Sequence, residues 1–274
     1  MDSLFNLVKT KVKKDVTSNL EPEFLDNVIV KYFKTNGDTK KKLIRIIEEK
    51  GIEKIEKNKY FKKSVKEIRE EIRVLYESFL EKDFNKKNIL DEMKILNSHK
   101  STKERLEFYP QVYDKIFSWY LPKKIADLAC GLNPVSINYF NKNKFEVFAA
   151  DLNEDDMNFL NEYFIENKIE GFAKAYDITK LGFLYDPMFT SSDLVFLFKA
   201  LDSFETIKSN ISKDIIKKIP QKKIVVSFPT KSLGQKKEIS DTKRNWLRNF
   251  LTNKEYLYEE FEIYNELFFL ITKN

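Results

Sequence analysis

Four short apolar runs, at 125–129, 145–150, 194–197 and 224–228, alternate with segments of helical spacing. Runs of this length, bounded by turn residues, read as strands buried on both faces. Strands that alternate with helical segments are joined by crossovers, so the sequence predicts an α/β fold with a mostly parallel sheet and helices on both faces. Two further runs, at 256–264 and 267–272, flank Asn265-Glu266 and predict a closing hairpin.

The first hundred residues have a different texture. They hold two glycines, Gly37 and Gly51, and one proline, Pro22, with apolar residues at helical spacing such as Ile68, Ile72, Leu75 and Phe79. Pro22 after Glu21 suits a helix start, and Asn36-Gly37-Asp38 a turn between two groups of helices. The expected organisation is an α-helical domain over 1–100 followed by the α/β domain over 101–274.

Charge follows the same division. The net charge of +6 lies entirely in residues 1–100, which carry 24 Lys+Arg against 18 Asp+Glu, while the remainder balances at 25 against 25. A basic helical extension is the electrostatic footprint of a polyanion partner, although lysines also decorate solvated helix faces. Cys130 is the single cysteine and His99 the single histidine. An intramolecular disulfide is therefore impossible, the usual zinc constellations cannot be assembled, and no metal is expected. No stretch approaches the roughly 20 apolar residues a membrane helix needs. The charged start, with Asp2, Lys9 and Lys11, gives no export signal. A cytoplasmic monomer with no membrane partner is the expectation.

The segment Ile-Ala-Asp-Leu-Ala-Cys-Gly-Leu-Asn-Pro at 125–134 is a strand running into a turn with one glycine. A ligand can approach the backbone closely at Gly131, where no side chain intervenes. At the carboxyl ends of parallel strands such a turn forms a crevice for a nucleotide-like ligand, and a single glycine favours an adenosyl group over a dinucleotide. The next strand ends at Asp151, placed to accept hydrogen bonds from ribose hydroxyls or, alternatively, to cap the following helix. A third strand end near Tyr176-Asp177 could flank an adenine ring or be a polar loop.

With these residues in place the chain resembles the 16S rRNA guanine-N7 methyltransferases that confer aminoglycoside resistance. The matching blocks are His-Lys-Ser-Thr-Lys-Glu-Arg-Leu at 99–106, the loop at 127–134, Phe-Leu-Phe-Lys at 196–199, Ser-Phe-Pro-Thr-Lys-Ser-Leu-Gly at 227–234 and Asn-Glu-Leu at 265–267. The resemblance implies a class I S-adenosylmethionine-dependent methyltransferase, Rossmann-like with a seven-stranded sheet, behind an N-terminal helical domain that docks on RNA. Its cofactor would be S-adenosyl-L-methionine and its partner 16S rRNA in the assembled small ribosomal subunit. Arg105 would pair with the methionine carboxylate, with a surface ion pair to Glu104 or Glu107 as the alternative. Phe79, His99, Ser101, Asp127, Ala129, Cys130, Gly131, Asp151, Tyr176, Asp177 and Phe198 would complete the cofactor pocket. Lys199 would face the nucleic acid, the 227–234 block with Ser232 would border the target base, Phe228 would stack on it, Lys231 would take a phosphate, and Glu266 would bond the Watson–Crick edge of guanine. Core packing is the alternative for Phe79 and Phe228, and a solvated turn for Glu266. Lys9, Lys13, Lys62, Lys63 and Lys66 are candidates for the RNA backbone.

The chain departs from the family pattern at 135–139, at Asp202 where a proline is usual, and at 235–245, although Trp246 is retained. Guanine N7 carries no proton, so the implied chemistry needs positioning and no catalytic acid or base. Two rival readings stay open: a catalytically silent ribosome-binding protein that keeps the fold, and a small-molecule methyltransferase, against which the basic extension argues.

Overall fold

A computed structural model describes residues 2–15, 22–75, 91–141, 143–231 and 237–274. The chain forms two compact units, Met1–Leu80 and Glu81–Asn274. The division falls before the boundary at 100 expected from composition, because Ile95 and Leu96 are buried in the core of the second unit.

The first unit contains α1 (Asp2–Asp15), α2 (Pro22–Thr35), α3 (Gly37–Lys50), a 3-10 segment (Ile52–Lys57) and α4 (Lys59–Leu75). Leu4, Val8 and Val12 lie one turn apart on α1 and are buried with Val28, Ile29, Phe61, Ile68 and Ile72. Asn36 ends α2 by donating its amide to the Tyr32 carbonyl. Gly51, at φ 80°, ends α3 in a backbone conformation that side chains disfavour. One polar cluster crosses this core: the Tyr32 hydroxyl donates to Glu67 at 2.6 Å. Among the expected RNA-facing lysines, Lys9 pairs with Asp26 and Lys63 lies 3.7 Å from Glu67, while Lys13, Lys62 and Lys66 are exposed.

The second unit opens with α5 (Glu92–Asn97), α6 (Lys100–Arg105) and α7 (Tyr109–Trp119). There follow β1 (Lys124–Leu128), α8 (Asn133–Tyr139), β2 (Glu146–Asp151), α9 (Glu154–Glu166), β3 (Gly171–Ala175), α10 (Pro187–Thr190), β4 (Leu194–Phe198), α11 (Leu201–Ile207), α12 (Ile211–Lys218), β5 (Lys223–Pro229), α13 (Asn245–Asn253), β6 (Leu257–Ile263) and β7 (Glu266–Thr272). The sheet order is β3-β2-β1-β4-β5-β7-β6. Strands β1 to β5 are parallel, and β7 pairs antiparallel with both β5 and β6.

Side chains alternate between two cores. Ile125, Val147, Phe196, Val225 and Phe268 face one layer of helices, while Ala126, Phe148, Val195, Ile224 and Phe269 face the other. Coverage on both faces explains why β1 and β4 are buried along their whole length and why β4 reads as an uninterrupted apolar run, while β1 is broken by the buried Asp127. The edge strand β6 carries Glu259, Glu260 and Glu262, charges that oppose pairing with another chain. The closing hairpin forms, but its turn is Tyr264-Asn265. Glu266 is the first paired residue of β7, opposite Pro229, rather than a turn residue. No described helix is long and apolar enough to cross a membrane.

Candidate active site at the strand ends

The order of the strands reverses between β1 and β4, the switch point beside which open α/β sheets hold their ligands. The residue after each strand is left-handed: Ala129 at φ 53° and Lys199 at φ 55°. A side-chain-bearing residue in that conformation costs roughly 1–2 kcal/mol. Such outliers collect where a surrounding structure must hold a binding loop in one shape.

Gly131, at φ 50°, continues the β1 loop. Its N–H donates to one Asp151 oxygen at 2.8 Å, and the Leu152 N–H donates to the other at 2.6 Å. Asp151 therefore ties the β1 loop to the end of β2. Helix α9 is capped instead by Asn153, which accepts from the Asp155 N–H at 2.9 Å, so the capping alternative for Asp151 does not hold. Burial pushes the Asp151 carboxyl up to about 6, against the lowering effect of these backbone donors. The His99 ring lies on Gly131 so closely that a β-carbon there would sit 3.0 Å from its Cε1 and Nε2. His99 Nδ1 is 2.8 Å from the Ser101 hydroxyl. His99, Ser101, Gly131 and Asp151 thus form one cluster.

A second, buried cluster begins at Asp127. One of its oxygens accepts from Asn133 Nδ2 at 2.7 Å, and the other, Oδ1, is buried without a partner among the described residues. Burial pushes this carboxyl up to about 7, opposed by the Asn133 bond and the charge of Arg105. Asn133 Oδ1 in turn accepts from Arg105 Nη1 at 2.9 Å and from the Tyr109 hydroxyl at 2.8 Å. Arg105 Nε donates to both Glu266 oxygens, at 3.1 and 2.8 Å. The guanidinium also lies over the Phe198 ring, 5.1 Å from its centroid. Arg105 is 3% exposed, so the alternative of a surface pair with Glu104 or Glu107 is excluded. Burial works against its charge, but Glu266 and Tyr109 hold the guanidinium protonated above its usual range.

Glu266 is the hub of this cluster. Besides Arg105 it accepts from the Ser227 hydroxyl at 2.5 Å and lies 3.1 Å from Lys199 Nζ. Burial acts to raise its carboxyl, and the charges of Arg105 and Lys199 overcome this to hold it below the usual range. With every acceptor position engaged and 3% exposure, Glu266 has no oxygen left for a guanine edge. It is a strut, which corrects the expectation of direct base recognition. Lys199 is corrected with it: its ammonium turns inward to Glu266 and to Glu104, at 2.7 Å, instead of facing outward. A cavity of about 20 Å³, room for one water, lies beside Arg105, Lys199 and Glu266.

The remaining candidates separate. Phe198 stacks on Phe196 at 4.6 Å and meets Phe268 edge-on, below Arg105. Tyr176 donates its hydroxyl to Asp186 at 2.9 Å. Asp177 caps the 3-10 turn Ile178–Lys180 through Thr179. Phe228 is fully buried against Trp246 and Phe269, with the Arg244 guanidinium 4.2 Å above its ring. It therefore offers no face to a base, because its register opposite Leu267 points it into the core. Lys231 pairs with Glu238 in an isolated bridge. Phe79 and Ser232 lie outside the described residues. Burial, with the charges of Asp127, Asp151 and Asp156, pushes the Cys130 thiol well above its ordinary range, so it lines the loop without being a nucleophile.

Tyr109 and Asn133 were not among the expected site residues, though each stands near one in sequence: Tyr109 opens α7 four residues after Arg105 closes α6, and Asn133 opens α8 at the end of the loop that follows Asp127. Two departures from the family pattern are also linked. Arg244 holds Asp202 through two bonds, at 2.7 and 2.9 Å. The altered residues at 135–139 are likewise absorbed by packing, with Ser136 bonded to the Tyr113 hydroxyl at 2.6 Å and Asn138 to the backbone of Phe145.

The chain has relatives among known proteins. The family described as ribosomal RNA methyltransferase (FmrO) matches residues 91–270. A 16S rRNA (guanine(1405)-N(7))-methyltransferase of Serratia marcescens is 30% identical over 189 residues, covering 67% of this chain and 71% of that protein. The enzyme of the same name from Micromonospora echinospora is 29% identical over 182 residues, covering 65% of this chain and 64% of its own length, slightly under two thirds. Among solved structures, the 16S rRNA methyltransferase RmtF in complex with S-adenosyl-L-homocysteine superposes with a TM-score of 0.79 at 18% identity, covering 100% of both chains. The 16S rRNA methylase RmtB gives 0.68 at 19% identity, covering 97% of this chain and 98% of its own. The crevice, its sheet and the motifs that line it therefore have one common source: the chain belongs to the ribosomal RNA methyltransferase (FmrO) family.

Proposed function

We propose that the protein transfers a methyl group from S-adenosylmethionine to N7 of a guanine of 16S rRNA, the reaction for which its relatives are named, acting as a cytoplasmic monomer on the assembled small subunit. The observation that carries this reading is Asp127 Oδ1, buried without a partner among the described residues. Asn133 links that carboxylate to the guanidinium of Arg105. Together they suit an amino acid's carboxylate and ammonium, the methionine end of the cofactor. Asp151 would take the ribose hydroxyls, and Tyr176 and Phe198 would border the adenosyl group.

The sulfonium of the bound cofactor supplies an electrophilic methyl. Guanine N7 presents an in-plane lone pair with no proton, so the N–C bond forms as the S–C bond breaks, and no residue has to move a proton. The protein's task is alignment, which accounts for roughly 7–11 kcal/mol of barrier in well-oriented reactions. N7 lies in the deep groove of A-form RNA, which side chains cannot enter, so the base must be flipped out. Contacts to the surrounding RNA backbone offset that cost, and the exposed Lys13, Lys62 and Lys66 of the helical unit are suited to make them. Protection against aminoglycosides follows if the modified guanine is the decoding-site base of the relatives' name.

The test is radiolabel transfer from S-adenosylmethionine to purified small subunits, with the modified base mapped by mass spectrometry. Label on a single guanine that disappears with Arg105→Ala is expected. Subunits that stay unlabelled above background refute the function.

A further inference from the structure

With Phe228 buried and Glu266 saturated, the side chains first expected to capture the target base are unavailable, and a different aromatic stands beside Arg105, Lys199 and Glu266. Tyr264 forms the tip of the β6–β7 hairpin, immediately before Asn265 and Glu266. It is 50% exposed. One face of its ring is stacked on Phe108, with centroids 4.6 Å apart and planes within 14°. Tyr264 also borders the small cavity beside Arg105 and Lys199. A cleft of about 610 Å³, flanked by Lys100 and Lys103, opens at the same ring. Of the acids there, Glu104 is engaged by Lys199 and Glu107 is exposed. On the other side of the hairpin a cleft of about 410 Å³ brings Lys231 to Tyr264.

The backbone supplies an independent observation. Tyr264 is left-handed, at φ 55°, in a two-residue connection where glycine or asparagine is the favoured occupant. The neighbouring asparagine stands one position too late to relieve it. An aromatic ring held there against its backbone preference marks a place where the side chain is needed.

We propose that Tyr264, backed by Phe108, is the platform on which the flipped target guanine stacks, with the Lys100 side of the cleft turned toward the phosphates around it. This rests on the methyl-transfer reading above and names the residue that holds its substrate. Every base has a π-face, so an aromatic platform suits an unstacked nucleotide, and ring replacement by alanine typically costs stacking equivalent to about 5- to 150-fold in affinity.

The experiment compares Tyr264→Phe, Tyr264→Ala and Tyr264→Gly by steady-state methylation of small subunits, by calorimetry with S-adenosylhomocysteine and by thermal unfolding. The expected result is a loss in kcat/KM for subunits of about 5- to 150-fold for Ala and Gly, with Phe within about twofold of the parent because only the ring face is required. Cofactor-product affinity should be unchanged in all three, and Tyr264→Gly should melt no lower than Tyr264→Ala, which loses the same ring but keeps the left-handed strain. Ala and Gly variants that keep the parent's kcat/KM overturn the assignment, as does a Phe variant as impaired as Ala. A parent that methylates no subunit refutes instead the reading on which the proposal rests.

Discussion

Replacing Asp127 by asparagine should stabilise the fold at alkaline pH while weakening the cofactor. The folded carboxyl titrates near 7 because it is buried with one oxygen unpartnered, whereas an unfolded aspartate titrates near 3.9. The folded state thus binds the proton more tightly. Stability contributed by this group is present below about pH 4, declines by roughly 1.4 kcal/mol per unit as the pH rises toward 7, and is absent above that. The full difference is about 4 kcal/mol. Part is already lost at pH 5, so about 3 kcal/mol should separate pH 5 from pH 8. Asparagine has no charge to bury and retains an oxygen for Asn133. Comparing the two proteins by urea unfolding at both pH values cancels the fixed cost of placing an amide in the orphan's position. The variant should gain about 3 kcal/mol on the parent between pH 5 and pH 8. Affinity for S-adenosylhomocysteine, by calorimetry at pH 8, should fall at least about tenfold, as for a lost charge-assisted bond. A stability difference independent of pH refutes the buried-charge argument, and unchanged affinity refutes the role given to Oδ1.

Two further outcomes follow from the geometry. Gly131→Ala places a β-carbon 3.0 Å from the His99 ring at a positive φ, costing roughly 1–2 kcal/mol. Differential scanning should show a lower melting temperature, and calorimetry weaker S-adenosylhomocysteine binding. Asp202→Asn leaves the 3%-exposed Arg244 with a neutral partner and should cost about 1–3 kcal/mol, read as a lower urea midpoint with the slope unchanged.

The sheet was legible because strands buried on both faces are mostly apolar whichever face a residue serves, with buried polar residues such as Asp127, Asp151 and Ser227 at or near the strand ends. Strand β3 is the instructive exception. Gly-Phe-Ala-Lys-Ala buries mainly Ala173 and leaves Phe172 exposed, so only the polar step at Tyr176-Asp177 marked its end. The cofactor side was legible for a related reason, since Asp127, Gly131 and Asp151 sit within one βαβ unit. The opposite side was not, because its interactions span the chain. Arg105 and Glu266 are 161 residues apart and Lys199 and Glu104 are 95 apart, and nothing local announces such pairs. Phe228 shows the limit most clearly. A phenylalanine at a strand end suits either a core or a stacking surface, and only the pairing of β5 with β7 decides between them. Asp202 and Arg244, which looked like unrelated departures, prove to be partners once the fold brings them together.

The buried thiol of Cys130 has a practical consequence. Because the chain holds no other cysteine, and this one is 5% exposed in the loop between Ala129 and Gly131, alkylation reports on a single event, the opening of that loop. The rate at which a thiol reagent consumes the protein is therefore a clock for how often the crevice breathes, with no label to introduce and no second site to subtract.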